Sequence, residues 1–210
     1  TFFSSDIKKG LIQASNSQGL LHSLHRLRIS ILKFLGVTAA EWDLIDLSEG
    51  KHQSLPRRSL PITLFLEDLR SPFNVGSIFR SAEAFGVAKI ILSPYTASPE
   101  HRRAVKTSRG TTQVVSWSYG SLAELADLGP VFALETGGKN IREFTFPSRG
   151  TVLIGSEELG LSPEALALAE KSWGLVSIPL YGAKRSLNVA VACGILLEHW
   201  TNFLSFPSQT

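Results

Sequence analysis

The sequence has one cysteine in 210 residues, Cys193, so no disulfide can form within the chain. This usage is typical of proteins in a reducing cytoplasm, and Cys193, inside an apolar segment, is expected to be a small core residue. No apolar run reaches the roughly 18 residues that a membrane-spanning helix needs. The first residues also lack the charged-then-apolar pattern of a secretory signal. We therefore expect a cytoplasmic protein with no membrane partner.

Two common nucleotide-binding signatures are missing as well. No G-x-G-x-x-G follows the first predicted strand, which argues strongly against a dinucleotide-dependent oxidoreductase. Gly155 and Gly160 have the spacing of a P-loop, but Leu161 and Ser162 stand where that motif needs Lys and Ser or Thr. The loop instead contains two adjacent acids, which would repel phosphate and accept hydrogen bonds from hydroxyl or amide groups. Phosphate cradling is therefore not expected here, and no metal site is predicted.

The net charge is only +3, but its distribution is uneven. The segment 98–112 holds four cations against a single acid, and two further basic pairs lie at Arg57–Arg58 and at Lys184–Arg185. A basic patch of this kind attracts phosphate backbones, although a solvated helical face explains the charge equally well. The candidate phosphate-binding residues are Arg102, Arg103, Lys106, Arg109, Lys184 and Arg185.

The hydrophobic pattern changes near residue 60. Leucines and isoleucines recur at helical spacing over 20–35, Gly36 is a plausible helix end, and Thr38 with Glu41 has the form of a capping box. The polar stretch 48–61 is typical of a linker. We therefore divide the chain into a helical extension, 1–60, and a main domain, 61–210.

In the main domain short apolar runs alternate with helical patterns. The predicted strands are 62–68, 88–93, 112–117, 130–136, 150–156 and 174–180, and the predicted helices are 75–85, about 100–107, 121–128, 163–171 and 188–204. Continuous apolar strands alternating with helices predict an α/β fold with a parallel sheet flanked by helices. Ligands bind at the carboxyl ends of such strands, so the strand-to-helix loops are the expected functional sites.

Three of these loops are unusual. In the first, Asn74 could cap a helix whose apolar stripe leaves Arg80 outside it, and a glycine at position 76 suggests close approach of a backbone or a ligand. The second runs through Gly155–Gly160 to a helix that Ser162 could cap, with Pro163 as its first residue. The third places Lys184 to Asn188 before an apolar helix, where Asn188 could also be a cap.

The combination N-x-G-x-x-x-R-S-A-x-x-F-G, G-S-E-x-x-G-L and I-P-L-x-G-x-x-x-S-L-N-V-A-V-A, in this order, resembles the SPOUT superfamily. More narrowly, it is similar to the TrmH-type (SpoU) RNA ribose 2′-O-methyltransferases. The resemblance covers about residues 62–202. It implies a C-terminal trefoil knot, a homodimer, and S-adenosylmethionine as cofactor for methyl transfer to a ribose 2′-hydroxyl in tRNA or rRNA.

The resemblance also implies roles for particular residues. The implied catalytic set is Arg80, Asn74, Glu157, Ser186 and Asn188. A guanidinium is almost never neutral and is therefore a poor base, so Arg80 is expected to clamp a phosphate and to stabilise the alkoxide. Asn74 would position Arg80. The resemblance thus adds Arg80 to the candidate phosphate-binding residues, and RNA as their partner. The set implied to bind the cofactor is Leu134, Glu135, Thr136, Gly155, Ile178, Leu180, Ser186, Leu187 and Asn188. The group that removes the hydroxyl proton stays open.

One departure supports an alternative. Many relatives read N-V-S-V-A where this chain has Ala190, so any role of that serine hydroxyl is in doubt. The alternative is a catalytically inactive knotted module that binds RNA or S-adenosylmethionine. Residues 1–60 match none of these motifs, and docking RNA and stabilising a dimer are equal alternatives for them.

Overall fold

The computed structural model describes residues 17–36, 58–183 and 186–205. The chain divides into two compact units, Thr1–Gln53 and Ser54–Thr210. In the first unit, helix α1 runs from Ser17 to Phe34, and Gly36 after it has a φ of 67°, as expected of a helix end. The helix predicted from Thr38, most of the predicted linker and the Lys184–Arg185 pair lie outside the described residues.

The second unit contains one six-stranded sheet, in the order β3-β2-β1-β5-β4-β6. Every pair of neighbouring strands is parallel. The strands are β1 (Leu60–Leu66), β2 (Val87–Leu92), β3 (Ser116–Tyr119), β4 (Val131–Asn140), β5 (Gly150–Ile154) and β6 (Gly174–Ser177). The predicted parallel sheet is confirmed.

Helices cover both faces of this sheet. They are α2 (Pro72–Ala84), α3 (Arg102–Ser108), α4 (Pro163–Ser172) and α5 (Val189–Ser205), with short 3-10 segments at Thr111–Gln113 and Leu122–Leu128. Leu64 and Leu66 of β1 belong to the core under α2 and α5, whereas Phe65 between them belongs to the core under α4. Because both faces are buried, the central strands are continuously apolar rather than alternating.

Helix α5 closes the larger of the two cores. Its Trp200 is fully buried against Phe132 and Phe146, and the indole N–H donates to the carbonyl of Pro147 at 2.8 Å. Cys193 on the same helix is fully buried, and burial raises the pKa of its thiol to about 12. Cys193 is therefore the small core residue that the sequence predicts.

Several predicted boundaries were wrong. Helix α2 begins at Pro72, with Ser71 as its cap, so Asn74 lies within the first turn and is not the cap. The predicted strand 112–117 starts with a 3-10 segment, and the predicted helix 121–128 is 3-10 rather than α. Strand β4 continues to Asn140 past an irregularity between Leu134 and Lys139, because that extension pairs with β6.

The sheet order places the site. From β1 the chain moves outward through β2 to β3 on one side, while β5, β4 and β6 lie on the other side. Strands β1 and β5 are therefore neighbours at the point where the winding reverses, which is the usual ligand site in an open parallel sheet. The loops after β1 and β5 contain the first and second of the sequence motifs.

Candidate active site and cofactor cavity

The Glu157 carboxylate connects the loop after β5 to the start of α2. Its Oε1 accepts hydrogen bonds from Asn74 Nδ2 at 2.7 Å and from the N–H of Ser71 at 3.3 Å. Its Oε2 accepts from the N–H of Arg70 at 3.1 Å. Since the first N–H groups of a helix have no partner within the helix, a carboxylate is a favourable neighbour there. Glu157 thus accepts hydrogen bonds from amide groups, as the sequence predicts.

These contacts keep Glu157 ionised. Partial burial by itself would raise the pKa of this carboxyl. The hydrogen bonds from Asn74 and from the backbone N–H groups of Glu157, Arg70 and Ser71 favour the charged form more strongly, so the pKa lies below its ordinary value of 4.5. A carboxylate with a lowered pKa is a weak base, which suits a group that organises the site better than one that removes a proton.

Asn188 extends the same network to the third loop. Its Nδ2 donates to Asn74 Oδ1 at 3.0 Å. Its Oδ1 accepts from the N–H groups of Ala190 at 2.9 Å and Val191 at 3.3 Å, which is the geometry of a helix cap at the start of α5. The prediction that Asn188 caps this helix is therefore confirmed.

The result is a chain of side-chain hydrogen bonds, Glu157–Asn74–Asn188, across the three unusual loops. The first pair is 83 residues apart in sequence and the second pair 114 residues apart. Among the described hydrogen bonds, the Asn74 side chain contacts Glu157 and Asn188 and not Arg80. The expected positioning of Arg80 by a direct bond from Asn74 is therefore not seen.

The glycines of the second loop have a steric explanation. The ends of the loop close in an antiparallel bridge between Ser156 and Gly160. A Cβ on Gly155 would lie 2.2 Å from the carbonyl carbon of Gly160, which no substitution tolerates without a shift of the loop. Gly160 has a φ of 69°, in the left-handed region, and a Cβ there would lie 2.8 Å from Glu135 Oε2. Both glycines therefore shape the loop beside Glu135.

Gly76 and Ser162 also take the expected places. A Cβ on Gly76 would lie 2.5 Å from the carbonyl oxygen of Ala104, so the close approach is that of helix α3. Ser162 caps α4 by accepting from the N–H of Ala165. Its own N–H and hydroxyl donate to the buried carboxylate of Glu67, each at 2.8 Å, which fixes the end of β1 to the start of α4.

A cavity of about 620 Å³ opens beside this network. All nine residues predicted to bind the cofactor line it, and they come from the ends of β4, β5 and β6 and from the segment before α5. Ser186, Glu157 and Asn188 of the predicted catalytic set line it as well, whereas Arg80 is outside the lining. Its volume lies within the range of about 300–1,000 Å³ that is usual for small-molecule sites.

Those predicted cations that the structure describes lie on or next to α2 and α3. Arg80 is exposed on α2, and Arg102 and Arg103 are exposed at the start of α3, followed by the half-buried Lys106. The Arg103 guanidinium lies over the Phe73 ring, 5.6 Å from its centroid. Arg109 ends α3 with a left-handed φ of 55°.

Two residues at the site, Arg70 and Ser71, were not predicted from the sequence. Arg70 and Ser71 contact Glu157 through their backbone N–H groups, and the Arg70 side chain pairs with Glu158. The Ser-Pro pair before α2 was the available signal, because Ser at the cap with Pro next predicts a helix start there. A start at Pro72 would have placed these N–H groups at the site.

No cluster of three or more metal-ligating side chains is present in the described ranges. Nor does any described helix have the length and apolarity to cross a membrane.

Residues 61–198 match the model of the SpoU rRNA methylase family. The chain belongs to this family. The predicted recognition is therefore confirmed, and so, at the level of the SpoU family, are the class of RNA ribose 2′-O-methyltransferases and their cofactor. Relatives of known name act on different RNAs.

The tRNA (guanosine(18)-2′-O)-methyltransferase of Thermus thermophilus is 32% identical over an alignment of 157 residues. The alignment covers 68% of this SpoU chain and 75% of that enzyme. The 23S rRNA (uridine(2479)-2′-O)-methyltransferase of Streptomyces viridochromogenes is 31% identical over an alignment of 166 residues, and the alignment covers 73% of this chain and 57% of that enzyme.

Solved SpoU structures share the fold. The SpoU methyltransferase AviRb of Streptomyces viridochromogenes, in complex with the cofactor AdoMet, superposes with a TM-score of 0.62 at 26% identity, over 79% of this chain and 62% of that one. An AdoMet-bound rRNA methyltransferase of Sinorhizobium meliloti gives a TM-score of 0.63 at 28% identity, over 70% of this chain and 58% of that one. This SpoU chain thus spans less than two thirds of either solved relative.

Proposed function

We propose that this chain transfers the methyl group of S-adenosylmethionine to a ribose 2′-hydroxyl of tRNA or rRNA. The observation that supports this best is the meeting of three distant motifs in the Glu157–Asn74–Asn188 network, directly beside a cavity of cofactor size. A purely structural network would not need an adjoining cavity lined by the loops at the carboxyl ends of β4, β5 and β6.

The residues at the cavity fit S-adenosylmethionine. Ile178, Leu180 and Leu187 line it with apolar groups suited to adenine, and the loop at Gly155 offers backbone groups. Glu135 and Glu157 also line the cavity, and their negative charge suits S-adenosylmethionine because this cofactor has no phosphate and carries a positive sulfonium. When bound, the cofactor would supply an activated methyl group.

The protein side chains would then bind, orient and stabilise the reacting ribose. The Arg80 guanidinium would hold a backbone phosphate and stabilise the alkoxide that forms as the hydroxyl loses its proton. Asn188 and the ionised Glu157 fix the loops that border the cavity, and Ser186 lies on its lining. Much of the rate enhancement would come from positioning of the 2′-oxygen.

The RNA surface that we propose combines Arg80 with Arg102, Arg103, Lys106 and Arg109. These residues lie on or next to two packed helices, α2 and α3, which follow β1 and β2 in the chain. Cations on adjoining helices can contact successive phosphates without reading the bases. Lys184 and Arg185 complete the predicted set.

Further features of the family remain proposals for this chain. They are the trefoil knot formed by the C-terminal part, a homodimer in which Arg80 of one subunit serves the cofactor of the other, and a cytoplasmic location. We also propose that 61–210 is the catalytic domain and that the helical extension 1–60 docks RNA or stabilises the dimer.

The binding-only alternative loses part of its support in the structure. Ala190 is 9% exposed and is not among the residues that line the cavity, whereas Val189 and Ala192 are. The side chain at position 190 packs in the core and is not part of the cavity lining. The substitution that suggested inactivity is compatible with catalysis.

Methyl transfer from labelled S-adenosylmethionine to total tRNA and, separately, to protein-free rRNA tests the function. We expect label in one pool, at a single alkali-resistant dinucleotide, and a loss of about 10²–10³-fold in kcat for Arg80→Ala. Arg149→Ala is the matched control, because Arg149 is an exposed arginine at the amino end of β5, whereas the site lies at the carboxyl ends of the strands. Cofactor binding without label in either pool would favour the binding-only module.

A further inference from the structure

We propose that Arg70 binds a phosphate of the substrate RNA, and that Glu158 holds its guanidinium at the site until RNA replaces the carboxylate. This inference rests on the proposed function and adds a substrate-binding residue to it. The Arg70 guanidinium lies 2.9 Å from Glu158 Oε2, at the end of β1 beside the switch point.

A backbone hydrogen bond holds Arg70 next to the Glu157–Asn74–Asn188 network. Its N–H donates to Glu157, the carboxylate that also accepts from Asn74. Glu158, its ion-pair partner, lines the cofactor cavity. The Arg70 side chain therefore begins at the catalytic network and ends at the mouth of the cavity, where the ribose of the substrate must enter.

The ion pair itself has little structural value. The Arg70 side chain is 73% exposed and the Glu158 side chain 70% exposed, so water and salt screen their attraction. An exposed pair is easily exchanged, and a guanidinium binds a phosphate in the same two-pronged geometry as a carboxylate. The Arg70 guanidinium is therefore held at the mouth of the cavity, and it can exchange the Glu158 carboxylate for an RNA phosphate at a small cost in free energy.

The neighbouring charges fit an approaching phosphate backbone. Phe73, three residues after Arg70, lies under the guanidinium of Arg103. Arg80 follows Phe73 by seven residues on α2, which is two helical turns along nearly the same face. Arg70 thus extends the proposed RNA surface of α2 and α3 to the edge of the cavity. Glu158 opposes phosphate there and would limit non-specific binding.

Substitutions of Arg70 and of Glu158 should have opposite effects on RNA binding. For Arg70→Ala we expect KM for RNA to rise about 5- to 10-fold with kcat nearly unchanged, because a contact made equally in the ground and transition states is lost. The slope of log binding constant against log salt should fall by about 0.7–0.9, which corresponds to one phosphate contact. For Glu158→Gln we expect equal or tighter RNA binding, and for Arg70→Lys a partial recovery.

A structural role predicts a different pattern. If the pair only supports the fold, Arg70→Ala and Glu158→Gln will weaken RNA binding alike and leave the salt slope unchanged, and the inference is wrong. Arg149→Ala, at the amino end of the central strand β5, controls for the loss of one surface charge. If the wild type binds S-adenosylmethionine but methylates neither RNA pool, the proposed function fails, while the salt dependence of labelled tRNA binding still tests Arg70.

Discussion

Replacing Glu157 by Gln should destabilise the main domain in a pH-dependent way. The carboxylate accepts three hydrogen bonds, one from the Asn74 side chain and two from the N–H groups of Arg70 and Ser71. A glutamine keeps one oxygen, but its NH₂ group would face one of these donors. Hydrogen bonds to a charged acceptor are worth about 1.5–3 kcal/mol when shielded from water.

The residue is exposed, so the expected loss is much smaller than three such bonds. We expect the free energy of unfolding to fall by about 1–2 kcal/mol at pH 7, after allowance for solvent screening. For a domain of this size that corresponds to a melting temperature lower by about 2–8 °C. The assay is urea or thermal unfolding of both proteins, followed by circular dichroism.

The pH dependence gives the sharper test. Because the folded pKa of Glu157 is below the ordinary 4.5, its stabilisation is complete above the unfolded pKa and disappears as the pH falls through the folded pKa. The difference between wild type and Glu157→Gln should therefore shrink steadily below pH 4.5. Glu158→Gln is the matched control, since Glu158 makes an exposed ion pair, and it should change stability by less than about 0.5 kcal/mol. An equal difference at pH 7 and pH 3 would refute the reasoning.

Two further substitutions test the other loops. Asn188→Ala removes the cap of α5 and the bond to Asn74, so we expect a loss of about 1–2 kcal/mol in stability and weaker cofactor binding by calorimetry, with Asn188→Asp restoring the cap alone. Gly155→Ala would place a Cβ 2.2 Å from the Gly160 carbonyl carbon, so the displaced loop should lose cofactor binding; a variant with wild-type affinity would contradict the steric account.

The sheet was predictable because both its faces are buried. Strands β1, β2 and β5 are short and mostly apolar, with Lys89 as the one charged residue among them, and such runs with helices between them indicate a parallel sheet. The extension of β4 to Asn140 was not predictable, since Gly137, Gly138 and Lys139 have weak strand preferences. Gly137 has a φ of 84°, and the strand resumes beyond it because Lys139 and Asn140 pair with Val176 and Ser177 of β6.

Motifs in the sequence predicted which residues form the candidate site, but they did not predict the hydrogen bonds that connect these residues. Nine of the lining residues were predicted by resemblance to bind the cofactor, and the structure brings them together, whereas others such as Val189 and Ala192 were not predicted. The bond between Asn74 and Asn188 joins residues 114 apart, and no local pattern in the sequence indicates such a contact. The contacts of Arg70 were missed for a local reason, because α2 was expected to start after Asn74 rather than at Pro72.

The length of the hydrogen-bonded chain has a consequence for synthesis of the protein on the ribosome. Asn74 and Glu157 are made well before Asn188, and Ile178 and the later lining residues follow β6. Contacts between such distant segments form late, because the loops between them must close first. A nascent chain that ends before α5 therefore already contains the cations of α2 and α3 but lacks a complete cavity. With the proposed RNA surface on α2 and α3, we expect attraction to RNA to precede the ability to methylate it.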